Sequence, residues 1–369
     1  MADEILDRRS LNRALLDRQL LLRRAEVEVR AAVEHLVGLQ AQEPLPPYFG
    51  LWSRVASFDP GALGAMIADG EVVRMTLMRG TIHLVSVDDA VRLRPLMQPA
   101  IDRAASQLLR RLPEVDGGEL RRQVVAILAA EPLGARELAR RLVARGIGDD
   151  PVALGYAIPA FLPLVQLPPR AVWGASGQVR YATLEQWTGR ELVPEPSLDE
   201  LVLRYLAGFG PASVMDMQNW SGLTRLKPAF ERLRDRLLTF RDEDGRELFD
   251  LPDAPRPGPE APAPVRLLGE YDNVLLGHRD RRRIVPDGFP WDEMLGHGRF
   301  VNSLLVDGML RATWWIEHNG DARAAVGIRP FGRLSRSERD QVEAEAARLL
   351  ELAAPGPERR EVRFEPPIS

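Results

Sequence analysis

Apolar positions recur at three- and four-residue steps along much of the chain, a helical period. At intervals they give way to short alternating runs flanked by glycine or proline. Leu11, Leu15, Leu16 and Leu20 predict a helix over 10–23 with Ser10 as its N-cap. Val29, Val33, Leu36 and Val37 predict a second, over about 28–39. Tyr48, Leu51, Trp52 and Val55 align on a third, about 47–57, and Asp59-Pro60 opens a fourth ending at Ala68. Asp69-Gly70 turns the chain into Val72–Thr76, Gly80 breaks that run, and Thr81–Ser86 returns as a second strand. Helices followed by a hairpin make a winged-helix pattern, which a helical connector from about Asp88 extends to residue 112.

The pattern repeats. After Gly117-Gly118 come helices over Leu120–Ala130, Ala135–Arg145 and Val152–Leu164. Val165–Leu167 and Val172-Trp173, then Gln178–Leu184, read as strands of a second wing, giving a module over 113–192. Its third helix carries almost no cations, so it reads as buried rather than as a helix that reads base edges. A third module, 193–252, has helices over Leu198–Ala207, Pro211–Trp220 and Leu226–Arg236. A hairpin of Leu237–Phe240 with Glu247–Asp250 turns at Asp244-Gly245. A Pro-rich linker over 253–264 precedes a C-terminal region, 265–369. That region reads as a β-meander through Val265–Leu268, Val301–Val306, Met309–Ile316 and Ala324–Ile328, closed by an acid-rich helix over about 335–352. The expected fold class is α+β, mainly α: three tandem winged-helix modules plus a C-terminal β-rich region with a terminal helix.

Composition narrows the chemistry. The 369 residues include no cysteine, which excludes disulfides, thiolate metal sites and a cysteine nucleophile. No HExxH or comparable ligand spacing occurs, so no metal is expected. A basic leader and long apolar runs are both lacking, so a cytoplasmic protein is expected, with no membrane contact. The net charge of −4 does not advertise a nucleic-acid binder, and DNA binding would need arginines gathered on one surface. Arg279, Arg281, Arg282 and Arg283 crowd together, as do Arg136, Arg140, Arg141 and Arg145, although acids lie near both groups.

Gln40 and Gln42 sit where the second helix meets Pro44 and Pro46-Pro47. If the chain is extended there, the two carboxamides share a side and Ala41 faces the core. Each offers an acceptor and two donors, and neither titrates. Such a pair can hold a water but cannot act as a strong base. The plainer alternative is a polar helix end whose side chains cap backbone groups.

Leu39-Gln40-Ala41-Gln42 with Pro44, then Met78-Arg79-Gly80-Thr81-Ile82-His83, then Glu270-Tyr271-Asp272-Asn273 and Gly277-His278-Arg279 occur in that order. Over most of the chain the sequence thereby resembles the winged-helix alkylpurine DNA glycosylases, the AlkZ and YcaQ group. The Gln-x-Gln form is similar to the AlkZ branch; the YcaQ branch has Gln-x-Asp. The resemblance implies a monofunctional glycosylase that hydrolyses the N-glycosidic bond of cationic alkylated purines, extending to bulky or crosslinked adducts. Gln40 and Gln42 would be catalytic. Arg79, His83, Tyr271, Asp272, His278, Arg279, Arg281 and Arg282 would serve DNA binding. Double-stranded DNA carrying alkylated purines would be the partner, with no cofactor and a monomeric, nucleoid-associated protein. Two other readings stand beside it: a non-catalytic winged-helix DNA-binding protein, and a hydrolase using Asp272 and His278.

Overall fold

The computed structural model describes residues 4–110, 116–289, 301–319, 323–356 and 359–367. The expected end of the connector at Leu112 and the turn at Asn319-Gly320 reach into stretches outside these residues. Helix outweighs strand, in a mixed α+β fold.

A short strand, β1 (Ile5–Leu6), leads into α1 (Arg8–Arg18). The helix starts two residues before the expected Ser10 because the Asp7 carboxylate accepts the Ser10 N–H at 2.7 Å. Helix α2 (Val29–His35) stops four residues short of the expected Leu39. There Val37 and Gly38 both adopt positive φ, 53° and 87°, which turns the chain directly into β2 (Leu39–Gln40). Then come α3 (Pro46–Trp52) and α4 (Pro60–Ala68), each with proline in its first turn, where a missing N–H costs nothing. Strands β3 (Val72–Thr76) and β4 (Ile82–Ser86) form the hairpin, and α5 (Val87–Leu109) follows.

Helices α6 (Gly117–Ala130), α7 (Ala135–Ala144) and α8 (Pro151–Phe161) precede β5 (Leu164–Gln166), β6 (Tyr181–Thr183) and the short α9 (Leu184–Thr188). Strands β5 and β6 pair with each other, but their hairpin does not stand apart as a separate sheet. Arg74 in β3 lies opposite Gln166 in β5, so the sheet runs β2-β4-β3-β5-β6 and joins the first two helical groups. Val172-Trp173, expected as a strand, is instead a turn. The Trp173 ring packs against Tyr48 at 4.9 Å, and Tyr48 Oη donates to the Ala171 carbonyl at 2.7 Å. Most of α8 is buried, as expected, but Val152 and Tyr156 stand out into solvent.

Helices α10 (Leu198–Phe209), α11 (Val214–Ser221) and α12 (Lys227–Arg232) lead to β7 (Leu238–Asp242) and β8 (Glu247–Asp250). β1 pairs with β7, so the chain's first strand completes this late sheet. The α11 helix begins after Ser213, not at Pro211, through reciprocal bonds between Ser213 and Asp216. The Pro-rich stretch carries no regular structure, yet α1 is laced to it. Arg9, Arg13 and Arg18 donate to the carbonyls of Pro259, Ala261 and Pro255. Strand β9 (Arg266–Leu268), helix α13 (Asn273–Leu276) and strands β10 (Ser303–Val306), β11 (Met309–Asn319) and β12 (Arg323–Pro330) follow. Helix α14 (Arg336–Ala353) packs Val342, Ala346, Leu349 and Leu350 on this sheet. Strand β13 (Arg359–Phe364), not foreseen, adds in parallel to β12.

One apolar core runs from Leu15 through Val85, Met97, Tyr205 and Trp220 to Leu275 and Leu310. At full burial each such side chain contributes about 1.5–3 kcal/mol. Within it the Tyr205 and Phe209 rings stack with Trp220 tilted against both, and Tyr205 Oη donates to the Gly277 carbonyl at 2.8 Å. That bond fixes the segment before His278 against α10.

Candidate active site

The two glutamines lie at the edge of the first sheet, beside the tip of the β3–β4 hairpin. Gln40 pairs with His83 in the β2–β4 register, and the Ala41 N–H donates to the Ile82 carbonyl at 2.7 Å. Ala41 is fully buried; Gln40, the last residue of β2, is also buried, whereas Gln42 lies exposed in the bend that follows. The Gln40 carboxamide oxygen accepts from Arg79 Nη2 at 2.6 Å. Gln42 is exposed, and among the described residues its oxygen accepts one long bond, 3.4 Å, from the Ile82 N–H. One amide is therefore anchored and the other is open to whatever approaches.

Arg79 sits in the left-handed region, φ 56°, within the turn Met78–Gly80. A non-glycine residue there stores strain that its surroundings must hold. Its Nη1 donates to the Trp220 carbonyl, and Gly222 closes from behind: a Cβ at that glycine would lie 3.0 Å from Arg79 Cα. Burial, with the charge of Arg281, pushes the guanidinium down to about 10, still cationic near neutrality. Because arginine only donates, it settles which end of the Gln40 amide is oxygen.

The other expected residues divide in two. Arg279 is exposed, and Arg281 and Arg282 are half-buried; all three line a cleft of about 930 Å³ that also includes Arg246, Asp244 and Asp280. Arg282 is engaged by Asp280 and Asp244, and Arg281 Nε donates to the Leu275 carbonyl at 2.8 Å. Neither Gln40 nor Gln42 lines that cleft, and its acids and bases are interspersed, so size alone does not make it the reactive site. In the second arginine cluster, Arg140 and Arg141 pair with Glu137 and Arg145 with Gln123, a solvated helix face.

Asp272, His83 and His278 are buried, and Tyr271 is half-buried at φ 60°. Asp272 receives both Nη atoms of Arg54 at 2.8 Å and caps α13 through the Val274 N–H. His278 Nε2 meets the Phe209 carbonyl at 2.9 Å. A hydrolase using Asp272 and His278 finds no support in this arrangement, since Asp272 anchors Arg54 and His278 meets the Phe209 carbonyl. Among the described residues no group of three or more His, Asp or Glu is placed to hold a metal ion.

Burial, then the charge of Arg79, pushes His83 down to about 3; burial, then Arg283, does the same to His278. Both folded values lie below the unfolded value of about 6.5. Stability is therefore fully present above about pH 6.5 and lost as pH falls towards about 3, because the unfolded chain takes up the protons first. Each histidine should add a slope of about 1.4 kcal/mol per pH unit in that window. Urea midpoints measured between about pH 7 and pH 5 test this, and His83→Gln should remove roughly one proton's share. A midpoint that stays level down to pH 5 would contradict the burial of both rings.

Sequence reasoning missed three residues that hold the glutamines. Asn273 Nδ2 donates to the carbonyls of Leu36 (3.3 Å) and Gly38 (3.1 Å), the turn that feeds β2. Arg74 Nη2 donates to the Ala41 carbonyl at 2.6 Å and Nη1 to Gln166 at 2.7 Å. Arg54 carries Asp272. A cation in the middle of the apolar strand Val72–Thr76, and an Asp-Asn pair before a short apolar run, were the available signals.

A family model described as DNA glycosylase AlkZ-like matches residues 33–352, which includes both glutamines, Arg79 and the 270–279 segment. The chain belongs to the AlkZ-like DNA glycosylase family. The family implies a DNA substrate. The chain is also similar to an interstrand DNA cross-link repair glycosylase of Streptomyces sahachiroi. The two are 26% identical over 373 residues, covering 90% of this chain and 93% of that protein. Its fold matches the solved structure of the Streptomyces sahachiroi DNA glycosylase AlkZ with a TM-score of 0.75 at 23% identity. That match covers 98% of this chain and all of the other. The AlkZ-like fold thus accounts for nearly the whole length, including the C-terminal sheet. No helix among the described residues is long and apolar enough to cross a membrane.

Proposed function

We propose that this AlkZ-like protein is a monofunctional DNA glycosylase for cationic purines of the 7-alkylguanine type, including bulky and interstrand-crosslinked adducts. It would act in base excision repair or in self-resistance to an alkylating toxin, at the nucleoid of the cytoplasm. The observation that carries this reading is the placement of Gln40 and Gln42 together against residues 79–82 in a chain of this family.

A purine alkylated on a ring nitrogen is already positive. When the bond from the sugar's anomeric carbon breaks, its electron pair moves to the base, which departs neutral without prior protonation. The sugar becomes oxocarbenium-like; a water oxygen bonds to that carbon and releases a proton to solvent. What the protein must supply is an aimed water and oriented dipoles. Gln42 is open enough to bind that water. Gln40, with one lone pair taken by Arg79, keeps a second for it. A neutral amide in place of a carboxylate at position 42 restricts the enzyme to leaving groups that are strongly activated.

The duplex would be gripped through its backbone, with Arg279 and Arg281 on phosphates and Arg79 at the hairpin tip. His83, Asp272 and His278, being buried, would support DNA binding by holding these elements, with Tyr271 at the turn before them. Three winged-helix units over 1–112, 113–192 and 193–252, followed by the 265–369 sheet, would form an open monomeric surface suited to a base that cannot rotate into a pocket.

Single-turnover incubation with duplex containing 7-methylguanine should release the free base and leave undamaged duplex intact. Binding without release would instead mark a non-catalytic DNA-binding protein. Affinity should also fall steeply with added salt, with log Kd changing by about 0.9 per phosphate contact per log unit of salt. A flat salt response would remove the phosphate grip.

A further inference from the structure

The segment that delivers Gln40 is strained where it leaves α2. Val37 is β-branched, and such residues rarely take φ near 53°. The next residue must be glycine: φ is 87°, and a Cβ at Gly38 would come within 2.5 Å of Val85 Cγ1. Strained turns persist only where neighbours over-determine them. Here one buried side chain, Asn273, donates both of its Nδ2 protons across the turn, to the carbonyls of Leu36 and Gly38. Beyond Gln40, buried Arg74 takes the Ala41 carbonyl. Asn273 arrives from α13, more than two hundred residues later in the chain; Arg74 sits in β3 and is braced by Gln166 of β5.

We infer that Asn273 and Arg74 are positioning residues for the Gln40-Ala41-Gln42 strand: two donors, one on each side of Gln40, that hold its backbone so that both carboxamides address the same point. The inference rests on the glycosylase reading for what is positioned there. The anchoring itself is a property of the backbone and is read separately. Neither side chain need touch the substrate. Positioning errors of about an ångström are enough to slow an aligned reaction roughly a hundredfold, so the anchors act on the rate constant rather than on DNA affinity. They also tie the reactive strand to two remote parts of the chain, the 270–279 segment and the second hairpin.

The experiment compares the full-length protein with Asn273→Ala, Arg74→Met and Arg74→Lys. It reads three quantities: the single-turnover rate constant for 7-methylguanine release, Kd for the same duplex, and amide hydrogen exchange across residues 36–43. Asn273→Ala and Arg74→Met should each lower the rate constant at least about tenfold, with Kd within about twofold. Exchange should quicken over 36–43 and stay unchanged in α10. Lysine at 74 keeps a donor for the Ala41 carbonyl and should recover part of the rate. Wild-type rate and exchange in both loss variants would overturn the inference, as would exchange that quickens throughout the chain. If Asn273→Ala does not fold, the Met and Lys forms at 74 decide: recovery with lysine supports positioning, and equal rates overturn it. If the wild-type protein releases no base, the glycosylase reading fails. Exchange over 36–43 then decides the anchoring alone, faster in the variants for it and unchanged against it.

Discussion

Gln40→Ala and Gln42→Ala should each reduce single-turnover release of 7-alkylguanine by at least about tenfold, a loss of about 1.4 kcal/mol of transition-state stabilisation. Duplex affinity should change little, because neither amide carries charge towards a phosphate. The two variants should differ in a second property. Gln42 is exposed and holds only a 3.4 Å bond, so its loss should leave thermal and urea unfolding unchanged. Gln40 is the acceptor of a charge-assisted bond from a half-buried guanidinium that is left with the Trp220 carbonyl. Its removal should cost about 1–3 kcal/mol of stability as well. Rate constants should therefore be measured well below the unfolding midpoint of each variant. Undiminished base release by both would leave the mechanism without its central pair.

Asp272→Ala should destabilise the fold by about 3–5 kcal/mol, the range for stranding one member of a buried ion pair. The side chains of Arg54 and Asp272 are 0% and 1% exposed, and both terminal guanidinium nitrogens, Nη1 and Nη2, reach the carboxylate at 2.8 Å. Without Asp272, Arg54 keeps, among the described residues, the Gly50 carbonyl and a 3.4 Å contact with Gln19. The Val274 N–H also loses its cap. Replacing both partners by apolar residues, Arg54→Met with Asp272→Leu, should recover most of the loss, because no buried charge remains unpaired. Urea unfolding of the two singles and the double forms the cycle. A change below about 1 kcal/mol for Asp272→Ala would mean that water reaches the pair.

The elements that sequence made legible are those whose signals are local. Val72–Thr76 was bounded correctly by Asp69-Gly70 and Gly80, and the hairpin of β7 and β8 by Asp244-Gly245. The prolines after Gln40 and Gln42 pointed to extended chain, which holds for Gln40 in β2, while Gln42 lies in the bend that follows. What escaped was decided at a distance. The early stop of α2 depends on a left-handed valine, a conformation that its side chain argues against and that Asn273 enforces from elsewhere. The pairing of Arg74 with Gln166, which makes one sheet of two hairpins, leaves no periodic trace in either strand. His278 was expected to meet DNA and His83 either to do so or to pack in the sheet; both are buried, His83 against the Thr81 carbonyl and His278 against that of Phe209, contacts that no motif encodes.

Helix α1 has a consequence for biosynthesis. Asn12, Arg13, Arg18 and Gln19 are buried with partners far downstream: Asp250 lies 232 residues later and the Asp307 carbonyl 294. While the chain is being translated, Gln19 and Arg18 gain partners once Gly208 and Asp250 are made, but Asn12 and Arg13 have their full set only after residue 308. The amino-terminal helix is therefore among the last pieces to lock. A nascent chain stalled in the Pro-rich stretch would still lack the carbonyls of Arg283, Asp307 and Gly308, leaving the Asn12 and Arg13 side of the helix to water or a chaperone.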